Sequence, residues 1–71
     1  MSGFEFEDAR RDLVILRNAH GDDTPIGHVC SNMVEMLHAH EAESDDLAKG
    51  LLRDSLIFQR AALARLTANA Q

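Results

Sequence analysis

Residues 22–50 read DDTPIGHVCSNMVEMLHAHEAESDDLAKG, and the fold turns on this stretch because it holds two helix starts and one ambiguous helix end. Asp22 and Asp23 lead into Thr24 and Pro25. A threonine hydroxyl accepts from free backbone N–H groups at a helix start, proline suits the first helical position, and acids favour the positive end of the helix. Ile26, Val29, Cys30, Met33, Met36, Leu37 and His40 then recur on one face at helical pitch, with Ser31, Glu35, His38 and Ala42 opposite. Ser44-Asp45-Asp46 repeats the cap-plus-acid signature. One long helix from Pro25 to Ala68 is the competing reading. No Pro or Gly stands between Gly27 and Gly50, and the heptad phase runs unbroken from Ile26 to Leu51. Against it stand Glu41, Glu43, Asp45 and Asp46, a cluster without a base, and Ser44, which prefers a cap to a helix interior. A break near Glu43 follows, and so short a connection makes the second and third helices an antiparallel hairpin.

Upstream, Ser2 and Glu5 have capping-box spacing, and Gly21 suits the position just past a helix end. Between them Phe6, Ala9, Leu13, Leu16 and His20 fall on one helical face. The LVIL run at 13–16 has β-forming residues, but no second segment offers it a partner strand. Downstream, Leu47, Ala48, Leu51, Leu52, Ser55, Leu56, Phe58, Ala62, Leu63 and Leu66 form an apolar stripe nearly half the circumference wide. The sequence therefore predicts an all-α fold with three helices at about 3–20, 25–42 and 45–68. They form a single small helical domain over 1–71, completed by dimerisation.

The chain has 71 residues, 45% apolar and 27% charged, a globular balance in one domain. At this size folding hides only about 60% of the unfolded surface, so a lone monomer is marginal. No apolar run approaches the roughly 20 residues of a membrane span, and no basic segment followed by an apolar one opens the chain. The single cysteine, Cys30, excludes an internal disulfide, and a reducing cytoplasm is the expected setting. A net charge of −5 argues against a general nucleic-acid binder. So small a fold rarely encloses a water-excluded pocket, which argues against an enzyme. No cofactor motif is present. The charge is uneven: residues 25–46 hold five acids and no base, and residues 47–71 hold four bases and one acid.

Three constellations carry possible chemistry. Glu35 and His38 are helical neighbours at the spacing used by metal-binding bundles, and His28 can join them on the polar face. His38 and His40 diverge by about 160° on a helix and cannot share one ion. Lys49, Arg53 and Arg60 align on the third helix and offer contacts to phosphates or to an acidic protein, without interleaved aromatics. His40 and Cys30 sit on the apolar face, too far apart along the helix for one to activate the other.

The more informative signal is apolar residues off the core faces. Phe4 and Ile15 fall on the far side of the first helix, and Ile57 lies outside the stripe of the third. Leu63 and Leu66 belong to the part of the third helix that overhangs its shorter neighbours, where a second chain would supply cover. The sequence thus points to a small cytoplasmic protein-interaction module, a regulator, adaptor or inhibitor without catalysis. Its expected surface is Phe4, Ile15, Ile57, Leu63 and Leu66, with Lys49, Arg53 and Arg60 beside them. Its expected partners are a second copy and a protein target. A metal-responsive module using Glu35, His38 and His28 comes second, and a nucleic-acid binder using the three bases third.

Overall fold

The computed structural model describes the backbone of residues 6–69 and the side chains of residues 9–69. Three helices follow in order, α1 (Phe6–His20), α2 (Pro25–Ala42) and α3 (Asp46–Asn69), with no strand among the described residues. The Ser2–Glu5 capping box and Phe4 lie outside the described residues.

The α1–α2 turn is a set of interlocking local contacts. Gly21 adopts a φ of +96°, which side-chain-bearing residues rarely enter, and its N–H donates to the Arg17 carbonyl at 2.8 Å. Thr24 is the N-cap of α2, with its hydroxyl accepting from the Gly27 N–H at 3.0 Å and donating to the Gly21 carbonyl at 2.8 Å. Gly27 sits where the turn passes closest. A Cβ there would collide with the Gly21 carbonyl oxygen and lie 2.9 Å from its carbon and 3.1 Å from Asp22 Cα.

The expected break after α2 is present. Glu43 is extended, with φ −80° and ψ 132°, so the helix stops at Ala42. The cap of α3 is Asp45 rather than Ser44. Its carboxylate accepts from the Ala48 N–H at 2.9 Å, and its carbonyl accepts from Lys49 N–H at 2.9 Å. Glu43 steadies this cap by accepting from the Asp45 N–H at 3.1 Å.

Helix α2 is the centre of the packing. It contacts both α1 and α3, whereas no Cα of α1 comes within 8 Å of one in α3. The core is Leu13 from α1, Ile26, Cys30, Met33 and Leu37 from α2, and Leu56 and Leu63 from α3. The face read for α2 is the buried one, with Val29, Met36 and His40 at its margins. Across the α2–α3 hairpin the Gln59 amide donates to Met36 Sδ at 2.9 Å, so a glutamine occupies a core-facing position. Extents of 38 × 19 × 19 Å match the roughly 36 Å expected for 24 residues of α3 at 1.5 Å rise.

Three expectations need correction. The core stripe of α3 is narrower than expected. Ala48, Leu52, Ser55, Leu56, Gln59, Leu63 and Leu66 turn inward, while Leu47, Leu51, Phe58 and Ala62 are exposed. One facing helix covers only one seam, and among the described residues α2 is the helix whose backbone comes within 8 Å of α3. Leu63 does not lack cover: it is buried in the chain's own core, with Leu66 packed against that core. His20, assigned to the inner face of α1, is exposed at its end.

Candidate functional site

The side chains that stand without cover are concentrated on α3. Leu47 is 74% exposed, Leu51 63% and Phe58 79%, with Ile57 at 49% beside them. On a helix advancing about 100° per residue, positions 47, 51, 54, 58, 61, 65 and 68 follow one another at spacings of four and three. They form one straight seam, about a third of a turn away from the seam that faces α2. Leu47, Leu51, Asp54, Phe58, Ala61, Arg65 and Ala68 occupy it, and all seven are exposed. Helix α3 is therefore two-sided, with an inner seam packed on α2 and an outer seam facing water.

Residues expected at an interaction surface divide between these sides. Ile57 borders the outer seam, as its position off the core stripe implied. Ile15 is 60% exposed on α1, a separate helix with no Cα within 8 Å of one in α3. Leu63 and Leu66 belong to the inner seam, where Leu63 is buried and Leu66 is partly buried against the core. Arg53 and Arg60 are exposed and Lys49 is partly buried. They run along the flank next to the inner seam, on the side away from Leu47 and Phe58. The outer seam and the bases are thus different surfaces of one helix.

Leu47, Leu51 and Phe58 were assigned to the core by periodicity. Two signals in the sequence separate them from it. A stripe half a circumference wide exceeds what one neighbouring helix covers, and the seam containing Leu52, Leu56 and Leu63 passes through Gln59, whose polarity draws a hydropathy reading toward Phe58 instead.

The remaining candidates are dispersed. His28, Glu35 and His38 are all exposed on α2, and no three His, Cys, Asp or Glu side chains among the described residues are placed to hold a metal ion. His38 lies nearer the next turn, with Nδ1 3.9 Å from Glu41 Oε1. Glu41 also pairs with Arg10 of α1, so one carboxylate joins the first two helices. Arg17 Nε stands 3.6 Å from Asp22 Oδ1 at the turn. Cys30 has no exposed surface. Burial pushes its thiol above the usual range, partly opposed by the Arg17 charge, which makes it a packing group and a poor nucleophile.

No helix among the described residues is long and apolar enough to cross a membrane. Comparison with family models, curated proteins and solved structures returns no match. The functional reading therefore rests on the chain's own surface.

Proposed function

We propose that this chain is a small cytoplasmic protein-interaction module that docks the outer seam of α3 against a helical face of a protein partner. It has no chemistry of its own and acts as a regulator, adaptor or inhibitor through occupancy. The observation that carries this reading is the alignment of Leu47, Leu51 and Phe58, all more than 60% exposed, along one line of a helix. Single exposed apolar residues are ordinary on a protein surface; three large ones in register form the anchor pattern of helix recognition. Burying each would contribute about 1.5–3 kcal/mol, enough together to support a specific contact.

The reading is tested by placing a photoreactive phenylalanine analogue at position 58 in the native host. The adduct is identified, the cross-linked protein purified, and its affinity titrated. Docking through the seam predicts that Leu51→Asp weakens binding by at least tenfold, which is about 1.4 kcal/mol. Ile15→Asp, on another helix, leaves it unchanged. Equal loss in both variants, or an affinity indifferent to Leu51, overturns the assignment of the seam. Sub-micromolar binding to DNA that disappears in Arg53→Ala/Arg60→Ala replaces it with the nucleic-acid reading.

A further inference from the structure

Resting on that docking reading, we infer that the outer seam of α3 takes a second copy of this chain, with the two α3 helices antiparallel and Asp54 of each facing Arg65 of the other. The seam has a heptad pattern. Spacings of four and three make Leu51, Phe58 and Arg65 equivalent to a positions, and Leu47, Asp54, Ala61 and Ala68 equivalent to d positions. Both charges of this seam are exposed, and among the described residues neither makes an ion pair within its own chain.

The charges decide orientation. In a parallel pair every residue meets its own copy, which sets Asp54 against Asp54 and Arg65 against Arg65. An antiparallel pair instead layers a positions against d positions of the partner helix. One register then sets Asp54 against Arg65, Phe58 against Ala61 and Leu51 against Ala68. Each of these contacts occurs twice, as two-fold symmetry requires of a surface that is complementary to itself. Both charges are matched, and each large side chain faces a small one. Sliding by one heptad in the direction that lengthens the overlap sets Asp54 against Phe58 and Leu47 against Arg65, leaving four charges against apolar groups. A second such slide sets Asp54 against Leu51 and leaves Arg65 beyond the overlap. Like-charge or unpaired-charge contacts in a closing interface are strongly unfavourable.

This arrangement is tested on the full chain by sedimentation equilibrium from about 5 to 500 μM, since a single helix pair belongs at the weak end of specific interfaces. The expected result is a mass rising from 7.9 kDa toward twice that value. Asp54→Arg alone and Arg65→Asp alone each create two like-charge layers and weaken association at least tenfold. Mixed one to one, these two variants form a heterodimer, because all four charges then match. The double variant Asp54→Arg/Arg65→Asp restores the homodimer. Phe58→Ser, at the centre of the pairing, abolishes association. All these positions are exposed, and far-ultraviolet circular dichroism verifies that the helices persist. A wild-type chain that stays at 7.9 kDa throughout overturns the inference. So does a mixture of the two charge variants that fails to associate. A monomeric chain that still binds a different cross-linked protein through Leu51 overturns self-pairing alone and leaves the docking reading in place.

Discussion

Replacing Gly27 by alanine tests the architecture at its tightest point. The residue is helical, and in an unobstructed helix alanine is favoured over glycine by about 1 kcal/mol. Here the added Cβ meets backbone on two sides: the Gly21 carbonyl group, with its carbon at 2.9 Å, and Asp22 Cα at 3.1 Å. None of these atoms is the end of a flexible side chain, so relief requires the turn to move off α2. That motion separates Thr24 from its partners at 2.8 and 3.0 Å and disturbs the Gly21-to-Arg17 bond at 2.8 Å. Losing the threonine cap costs about 1 kcal/mol. Each of the two further hydrogen bonds costs about 1 kcal/mol. Set against the propensity gain, the expected net loss is about 2 kcal/mol, or roughly 8–16 °C in melting temperature for a domain of this size. Gly50→Ala is the matched control. It lies in α3 with no atom within 4 Å of an added Cβ. It should raise stability by about 0.5–1 kcal/mol. Thermal melts followed by circular dichroism at 222 nm compare the two. A Gly27→Ala protein that melts at or above the wild type refutes the close approach of the turn to α2.

Leu63→Asp should unfold the monomer, because burying a charge without a partner costs several kcal/mol, while Phe58→Asp should leave the monomer's melting temperature nearly unchanged; equal effects would contradict the two-sided description of α3. Cys30 should resist Ellman's reagent in the native state and react at once in denaturant, and fast native labelling would contradict its burial. Because burial raises the Cys30 pKa above the ordinary 9.0, the unfolded chain releases that proton first as pH rises. Its contribution to stability is therefore complete below about pH 9 and lost above it, and urea titrations of wild type and Cys30→Ala should differ in slope against pH only in that alkaline range. Arg10→Ala breaks a half-exposed pair with Glu41 and should cost under about 1 kcal/mol, less at high salt; a larger loss insensitive to salt would show that the arginine stem, not its charge, joins α1 to α2.

Local chemistry was legible where it is self-contained. Thr24-Pro25 marked the start of α2 because capping uses atoms within three residues, and Gly21 marked the end of α1 because its φ is a local property. The choice between Ser44 and Asp45 was not legible to one residue, since either side chain can cap and only the geometry of the chain leaving Glu43 selects the aspartate. Gly27 gave no signal at all. A glycine in a first helical turn has no meaning until the preceding turn folds against it. The phase of α3 was misread for a tertiary reason. Two seams about a third of a turn apart merge into one broad stripe in any count of apolar spacings, and only the number of neighbouring helices divides them.

That division gives the candidate site its weight, because the chain contains its own comparison. Helices α2 and α3 are both exposed along part of their length but differ in charge, with five acids and no base over residues 25–46 and four bases and one acid over residues 47–71. On α2 the exposed positions carry His28, Asn32, Glu35, His38 and Glu41 with Pro25, Ala39 and Ala42, and no large apolar side chain among them. On α3 the corresponding outer seam carries Leu47, Leu51 and Phe58 with a single acid and a single base. The fold does not require them, since α3 is held by Leu56 and Leu63 on the other side. Their exposure favours association of any kind, and the whole chain's net charge of −5 opposes it only in an unspecific way. Large apolar groups that the monomer's core does not use, set at the spacing of a helix contact beside one acid and one base, are what the proposed partner on that seam would account for.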